Sequence, residues 1–338
     1  MKHVLIVTEA NETVASGHLM ECIEIANVLS DSGYQVSFMV NDDMSQAFRL
    51  RIPIPYTAYR HDLENGKQDI RGIAFRNSVD LVIFNFRSIE EQLLQYIRKE
   101  FRGTILCIDE LGHRHLSCDI IVNPMIDSYY HEYVDSKAKV YAGPEYLVLP
   151  RSLLDFHKRE KIISPKIQRV CVSMGGVDPF GTTLKLAEWL PQMLQGVKID
   201  LVLGGGFQYS SELEKIIAHN EDIAVHKNID YIYELFFRAD LAFCAGGNTL
   251  HELACIGTPT IVIPSMPHEV RNGKAFENRG FGMCLPITHK VKQWETKIGI
   301  EKMESYFARK ECMECGKLIV TGNGANRIQA IIAELLHF

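Results

Sequence analysis

The feature that most constrains the fold is an alternation between short apolar runs and segments with helical spacing. In the first half, the apolar runs are rich in β-branched residues and bounded by polar residues or glycine: HVLIVT, YQVSFMV, VDLVIFNF, GTILCID and CDIIVNP. Segments 18–32 and 89–101 between them have the apolar spacing of amphipathic helices. This alternation predicts an α/β fold in which helices connect parallel strands.

The alternation is interrupted once and then resumes. The interruption, VLPRSLLDFHKREKIISPK, is charged and contains two prolines. A second series follows, with strands predicted at RVCVSMGG, KIDLVLGGG, DLAFCAGG and TPTIVIPS. A chain of 338 residues is long enough for two domains. We therefore predict two doubly wound, Rossmann-like domains, at 1–155 and 165–320, that face each other across a cleft. A C-terminal helix at 321–338 is expected to pack back on the first domain.

Composition excludes several classes of protein. The formal net charge of −6 leaves no basic excess for binding nucleic acid. No apolar run is long enough to span a bilayer, so no stable membrane insertion is expected. Nine scattered cysteines, several of them in apparent buried strands, are typical of the reducing cytoplasm. No cluster of ligand residues indicates a metal, no cofactor is predicted, and the oligomeric state stays open.

Glycine or a polar loop ends several of the predicted strands. These loops are SGH at 16–18, MGGVDP at 174–179, LGGGF at 203–207 and AGGNT at 245–249. Glycine lets the backbone approach a ligand closely, and a helix that starts directly afterwards offers free N–H groups to a phosphate. Several such loops at one sheet edge predict a phosphate-binding cleft. No GxGxxG follows the first strand, so a dinucleotide is not favoured.

A purely structural interpretation of AGGNTLHE is also available. Asn248 or Thr249 could cap the following helix, and Glu252 lies three residues after Thr249, which is the spacing of a capping box. Under this interpretation the polar residues stabilise a helix end and bind no ligand.

Longer blocks of the sequence resemble a known family. The blocks are SGHLMECIEIANVL, CIDELGHRHLSCDIIVNP, YAGPEYLVLPRSLLDF, VCVSMGGVDPFGTT, AGGNTLHELACIGTPTIVIP and VTGNGANRIQAII. The C-terminal half resembles the nucleotide-binding domain of GT-B glycosyltransferases of the MurG type. The whole chain is most similar to the PseG/SpsG group, relatives of MurG that hydrolyse a UDP-linked amino sugar. The resemblance thus implies the GT-B architecture and a UDP-sugar as the small-molecule partner.

The resemblance also implies roles for individual residues. Glu252 would accept hydrogen bonds from the ribose hydroxyls, which suits a carboxylate because a cis-diol donates two hydrogens. Backbone N–H groups of the AGGNT block would surround the diphosphate. The residues expected around the nucleotide are Gly175, Gly176, Gly204, Gly205, Gly246, Gly247, Asn248, Thr249 and Glu252.

His18 is the candidate catalytic base. It opens a predicted helix at the carboxyl edge of the first sheet, where the helix N-terminus lowers the pKa of a histidine and keeps it neutral. In the PseG family a glycine–histidine pair at this place carries the base that activates water, and Gly17 and His18 match it. The alternative is an ordinary polar residue at a helix N-terminus.

Other residues are candidates for contacting the sugar: Gly17, Arg87, Asp109, His268, Glu269 and Asn272. Asp109 lies with Glu110, His113 and His115 after the strand GTILCID, and the alternative there is a solvated turn. His268, Glu269 and Asn272 stand where MurG-like proteins place a polar group against the sugar.

The sequence departs from the family pattern around the sugar site. The family usually has an arginine three residues after the catalytic histidine, where this chain has Glu21. After VDLVIF the family has an aspartate, histidine or similar residue and then tyrosine, whereas this chain reads Asn85, Phe86, Arg87. Replacing arginine by glutamate reverses a charge near an anionic substrate, and Arg87 is a candidate for the compensating cation.

Three functions follow from these observations. The first is an inverting hydrolase that releases UDP from a UDP-linked acetamido or amino sugar, in nonulosonic-acid or surface-polysaccharide biosynthesis. The second is a GT-B glycosyltransferase that uses the same donor with a hydroxyl acceptor. The third is a sugar-nucleotide-binding protein without catalysis. The reason to consider it is that this chain lacks the arginine and the tyrosine that the family usually has near the sugar.

Overall fold

The computed structural model describes residues 1–338 except 11–16, 61–62, 77, 87, 110–111, 113–115, 128–132, 134–136, 209, 228 and 337–338. The chain divides into two compact units. The first unit consists of Met1–Arg151 with Gly322–Phe338, and the second consists of Ser152–Thr321. Each unit has a parallel sheet with helices, which confirms the predicted α/β class.

The described elements of the first unit alternate between strand and helix over most of its length. In chain order they are β1 (His3–Thr8), α1 (Gly17–Asp31), β2 (Gln35–Asn41), α2 (Gln46–Arg49), β3 (Tyr56–Tyr59), α3 (Leu63–Arg76), β4 (Leu81–Asn85), α4 (Glu91–Arg98), β5 (Thr104–Ile108), β6 (Ile120–Asn123), β7 (Lys139–Ala142) and a 3-10 helix (Pro144–Tyr146).

The second unit repeats this pattern. Its described elements are α5 (Ser152–Lys158), β8 (Arg169–Ser173), α6 (Thr182–Met193), β9 (Lys198–Leu203), α7 (Ser211–Ala218), β10 (Ile223–Lys227), α8 (Ile232–Arg238), β11 (Leu241–Cys244), α9 (Asn248–Ile256), β12 (Thr260–Val262), α10 (Pro267–Glu277), β13 (Met283–Cys284), α11 (Gln293–Met303) and α12 (Tyr306–Ile319). The last helix, α13 (Gly324–Leu336), belongs to the first unit.

Both sheets are doubly wound. The described strands of the first sheet lie in the order β3-β2-β1-β4-β5-β6-β7, and those of the second in the order β10-β9-β8-β11-β12-β13. Every pairing between these strands is parallel. In each sheet the chain runs outwards on one side and then returns to the other side of the first strand. The topological switch point therefore lies between β1 and β4 in the first sheet and between β8 and β11 in the second.

The central strands are buried because their sequences are almost continuously apolar. In the first unit, α1 and α13 pack together over one face of the sheet, with Leu19, Ile328 and Ile332 fully buried. The three apolar residues Leu186, Leu201 and Phe243 lie in the core of the second unit. Among the described residues, no helix combines the length and apolarity needed to cross a membrane.

Candidate functional site

The switch point of the second sheet brings the predicted glycine loops to one edge. β8 and β11 are neighbours there, with β9 beside β8 and β12 beside β11. All these strands are parallel, so the loops that follow them leave the same edge of the sheet. These loops contain Gly175 and Gly176 after β8, Gly204 and Gly205 after β9, and Gly246 and Gly247 after β11. Ligands of doubly wound sheets bind in the crevice at this position.

The glycines in the loops after β8 and β9 have two different roles: one allows close packing of the backbone, and two others border open space. The amide of Gly206 donates to the carbonyl of Gly176 over 3.0 Å, so the loops after β8 and β9 touch through their backbones. A Cβ on Gly204 would lie 2.3 Å from that same carbonyl oxygen, so a side chain does not fit there. A Cβ on Gly175 or Gly176 would meet nothing within 4 Å. Gly204 is therefore required for packing, whereas Gly175 and Gly176 border open space.

Helix α9 begins at the predicted phosphate site. Its N-cap is Gly247, with φ −83° and ψ −146°, so Asn248 and Thr249 are its first two residues. The structural alternative, a cap made by Asn248 or Thr249, is wrong, because the helix starts earlier than that interpretation requires. Gly246 has a φ of +108°, a conformation that favours glycine, and this turn leads the chain from β11 into the helix. The N-terminus of α9 thus opens at the switch point.

Glu252 lies one turn into α9 and is half-buried. Burial raises the pKa of this carboxyl to about 7. The phenol of Tyr233 on α8 donates a hydrogen bond of 3.2 Å to Glu252 Oε1, and this bond opposes the shift. A carboxyl with such a pKa changes its protonation close to neutral pH. Sequence reasoning missed Tyr233, which lies in an aromatic segment that predicts only core packing.

The three candidates on α10 differ in their surroundings. Glu269 Oε2 accepts from the amides of Ser265 and Met266, and burial raises its pKa. Asn272 is buried and its Nδ2 donates to the carbonyl of Gly246 over 2.6 Å. His268 is exposed. Glu269 and Asn272 therefore hold the loops around β11 and β12 in place, and His268 is the member whose side chain faces solvent.

The switch point of the first sheet carries the candidate base. His18 is the second residue of α1, after Gly17, and it is half-buried. Its Nδ1 lies 2.9 Å from Oδ1 of Asn85, the last residue of β4. Asn85 is fully buried and donates through Nδ2 to Glu21 Oε2 over 3.0 Å. Glu21 and Asn85, which the sequence marked as departures from the family, thus lie in one hydrogen-bonded row with His18.

Of the remaining side-chain candidates in the first unit, the structure describes Asp109. Asp109 follows β5 and is 2% exposed, so it is not part of a solvated turn. Tyr133 donates to Asp109 Oδ2 over 3.4 Å and receives a hydrogen bond from Asn123 Nδ2 over 2.8 Å. Arg87, with Glu110, His113 and His115, lies outside the described residues.

A cavity of about 200 Å³ opens at the carboxyl edge of the first sheet. Its lining combines aromatic rings with charges of both signs, and it includes Glu9, Tyr59, Arg60, Lys67, Phe86 and Glu90. Phe86 directly follows Asn85 in the chain. Among the described residues, no group of three or more histidine, cysteine, aspartate or glutamate side chains is arranged to hold a metal ion.

Comparison with known proteins agrees with this architecture. No family model matches the sequence. The chain is 24% identical over 339 residues to the spore coat polysaccharide biosynthesis protein SpsG of Bacillus subtilis, with 98% of each chain covered. The crystal structure of MurG from Acinetobacter baumannii matches with a TM-score of 0.70 at 15% identity, over 99% of this chain and 100% of that one. The spinosyn rhamnosyltransferase SpnG complexed with thymidine diphosphate matches with a TM-score of 0.59 at 16% identity, over 98% and 100% of the two chains.

Proposed function

Because this chain is an SpsG-like member of the GT-B superfamily, we propose that its second unit binds a nucleoside-diphosphate sugar, with UDP as the nucleotide. The observation that carries the proposal is the start of α9 at the switch point between β8 and β11. The backbone N–H groups and dipole of a helix N-terminus attract a diphosphate. In this proposal Glu252, one turn along the same helix, accepts hydrogen bonds from the ribose.

The reaction that we propose is hydrolysis at the anomeric carbon. His18 takes a proton from a water molecule, the water oxygen bonds to the anomeric carbon, and the carbon–oxygen bond to the diphosphate breaks with inversion. The electron pair of that bond leaves with UDP, whose charge is stabilised by the N-terminus of α9. The free sugar carries the new hydroxyl. The resemblance to PseG favours an acetamido or amino sugar, and the name of the SpsG relative places that protein in polysaccharide biosynthesis.

Sugar transfer is the second candidate, and the cavity in the first unit favours it. An acceptor hydroxyl would replace water as the group that His18 deprotonates. The cavity has donors and acceptors of both charges beside the rings of Tyr59 and Phe86, a lining suited to a small polyhydroxylated molecule. SpnG, whose fold this chain shares, is named as a rhamnosyltransferase.

The experiment that tests the proposal is phosphorus NMR of the purified protein with UDP-, GDP-, CMP- and dTDP-sugars in the absence of an acceptor. Hydrolysis predicts that one of the diphosphate-linked donors yields its free nucleoside diphosphate, and that His18→Ala lowers this rate by about 10²- to 10⁴-fold. An unchanged rate in His18→Ala would contradict the role of His18.

Two other outcomes separate the alternatives. Donor resonances that broaden on binding but give no product would overturn hydrolysis, and addition of candidate acceptors would then test transfer. Binding without product under every condition would support a binding protein without catalysis. If no donor binds, the assignment of the nucleotide site to the second unit is wrong.

A further inference from the structure

The row formed by His18, Asn85 and Glu21 has a fixed order of donors and acceptors. His18 Nδ1 lies 2.9 Å from Asn85 Oδ1, and Asn85 Nδ2 lies 3.0 Å from Glu21 Oε2. His18 and Glu21 are three residues apart on α1, so the helix presents both side chains on one face. Asn85 stands between them at the end of β4. One amide therefore contacts the candidate base with one end and a carboxylate with the other.

Asn85 is held firmly in this position. Its side chain is fully buried, and its backbone carbonyl accepts a hydrogen bond of 3.0 Å from Thr8 Oγ1 at the end of β1. The thiol of Cys22 packs beside it, and burial raises the pKa of that thiol to about 12, so it stays protonated at neutral pH. Among the described residues, the ionisable groups recorded in contact with the Asn85 side chain are thus His18, Glu21 and Cys22.

The carboxylate decides which way the amide points. An ionised glutamate only accepts hydrogen bonds, so Asn85 must turn its NH₂ group towards Glu21. The opposite orientation would place Oδ1 against a carboxylate oxygen and leave a buried acceptor without a donor. With NH₂ facing Glu21, Oδ1 faces His18. Because an amide oxygen only accepts, Nδ1 of His18 must carry the hydrogen.

The tautomer of His18 follows from this order. A neutral imidazole has one N–H and one lone pair, so a hydrogen on Nδ1 leaves the lone pair on Nε2. We propose that Asn85 and Glu21 are positioning residues that hold His18 as the Nδ1–H tautomer and direct Nε2 to accept the proton. This inference rests on the proposed role of His18 as a base, and it explains two residues at which the chain departs from the family pattern.

Nitrogen-15 NMR of histidine-labelled protein without substrate tests the tautomer independently of turnover. The chain has thirteen histidines, so the His18 signals are identified by their loss in His18→Gln. In the wild type, the His18 signals are expected to show a hydrogen on Nδ1 and none on Nε2. A wild-type His18 with hydrogen on Nε2 would overturn the proposal.

Two variants and one control connect the tautomer of His18 to activity. Glu21→Gln keeps the shape but lets either end of the glutamine face Asn85, so a mixture of His18 tautomers and a kcat about tenfold lower are expected, with KM unchanged. Asn85→Ala removes the acceptor, and its kcat is expected to fall about 10- to 100-fold. Glu24→Gln is the matched control, because it makes the same chemical change on α1 three residues after Glu21. It should alter neither the tautomer of His18 nor kcat.

The outcomes distinguish the positioning role from the proposed function. If Glu21→Gln folds as the wild type does and changes neither the His18 spectrum nor kcat, the positioning role is wrong. If the spectra change as expected but the wild type hydrolyses no donor, the tautomer assignment stands and hydrolysis fails. Should Asn85→Ala fail to fold, Glu21→Gln alone decides.

Discussion

Tyr233 on α8 donates a hydrogen bond of 3.2 Å to Glu252 on α9, and this bond joins two helices at the proposed nucleotide site. The carboxyl is half-buried and its pKa is raised by burial to about 7. A ribose that offers two hydroxyl donors would favour the ionised carboxylate in the same way as Tyr233 does. Glu252 therefore links nucleotide binding to protonation near neutral pH.

Nucleotide affinity is expected to depend on pH through Glu252. The carboxylate accepts from the ribose and prevails above pH 7, so UDP should bind about tenfold more tightly at pH 8 than at pH 6. Calorimetric titration at both values measures the change. In Glu252→Gln this part of the pH dependence should vanish, and any that remains belongs to the phosphate of UDP. An equal pH dependence in wild type and variant would contradict the role of Glu252.

The same carboxyl should make the stability of the ligand-free protein fall as pH rises, whereas UDP affinity rises with pH. Its folded-state pKa is raised above the unfolded value, so its contribution to stability is present below about pH 4.5 and is lost as pH rises through about 7. Glu252→Gln removes this loss. The variant is therefore expected to melt at a higher temperature than the wild type at pH 8, with the difference shrinking towards pH 5. Differential scanning calorimetry without ligand checks this, and a lower Tm for the variant at pH 8 would refute it.

Gly204 and Gly176 provide a matched pair of substitutions at adjoining loops. A Cβ on Gly204 would lie within 2.5 Å of three backbone atoms of Gly176, so Gly204→Ala should destabilise the fold by about 1–3 kcal/mol. A Cβ on Gly176 would meet nothing within 4 Å, so Gly176→Ala should keep wild-type stability. If this open space holds the nucleotide, Gly176→Ala should nevertheless weaken UDP binding. Urea unfolding and calorimetry measure the two effects, and undiminished affinity in Gly176→Ala would remove that glycine from the site.

Helix α13 is expected to stabilise the first unit. Ile328 is fully buried in the core that contains α1. Truncating a buried isoleucine removes apolar contacts and leaves a cavity, so Ile328→Ala should cost about 2–5 kcal/mol in the free energy of unfolding. UDP affinity should stay unchanged at temperatures where the variant is folded, because the residues proposed to bind UDP lie in the second unit. A variant as stable as the wild type would contradict the packing of α13.

The sequence predicts the central strands of both sheets but not their edges. The strands β1, β4, β8 and β11 are almost continuously apolar because both faces are covered, and this pattern is visible in the sequence. In contrast, β3 reads YTAY with three exposed residues, and β10 reads IAVHK with one buried residue. Edge strands of this kind are fixed by hydrogen bonds to a neighbour, which no local pattern records.

The sequence predicts the loops of the candidate site from their residue types. Glycine after a strand and polar residues at a helix start mark the loops after β8, β9 and β11. The partners of the key side chains were not predictable, because they depend on which strands are neighbours. Asn85 meets His18 across 67 positions of the sequence, and Tyr233 meets Glu252 from another helix. Strand order at the switch points creates the first of these contacts.

The central claim, that the second unit binds a nucleoside diphosphate with Glu252 on the ribose, is tested most directly by a calorimetric cycle. UDP and 2′-deoxy-UDP are titrated into the wild type and into Glu252→Gln at pH 8. A hydrogen bond to a charged group contributes about 1.5–3 kcal/mol, so the wild type should bind UDP at least about tenfold more tightly than the deoxy ligand. In Glu252→Gln this preference should largely disappear. Equal affinity of the wild type for both ligands, or a preference that the substitution leaves intact, would contradict the account.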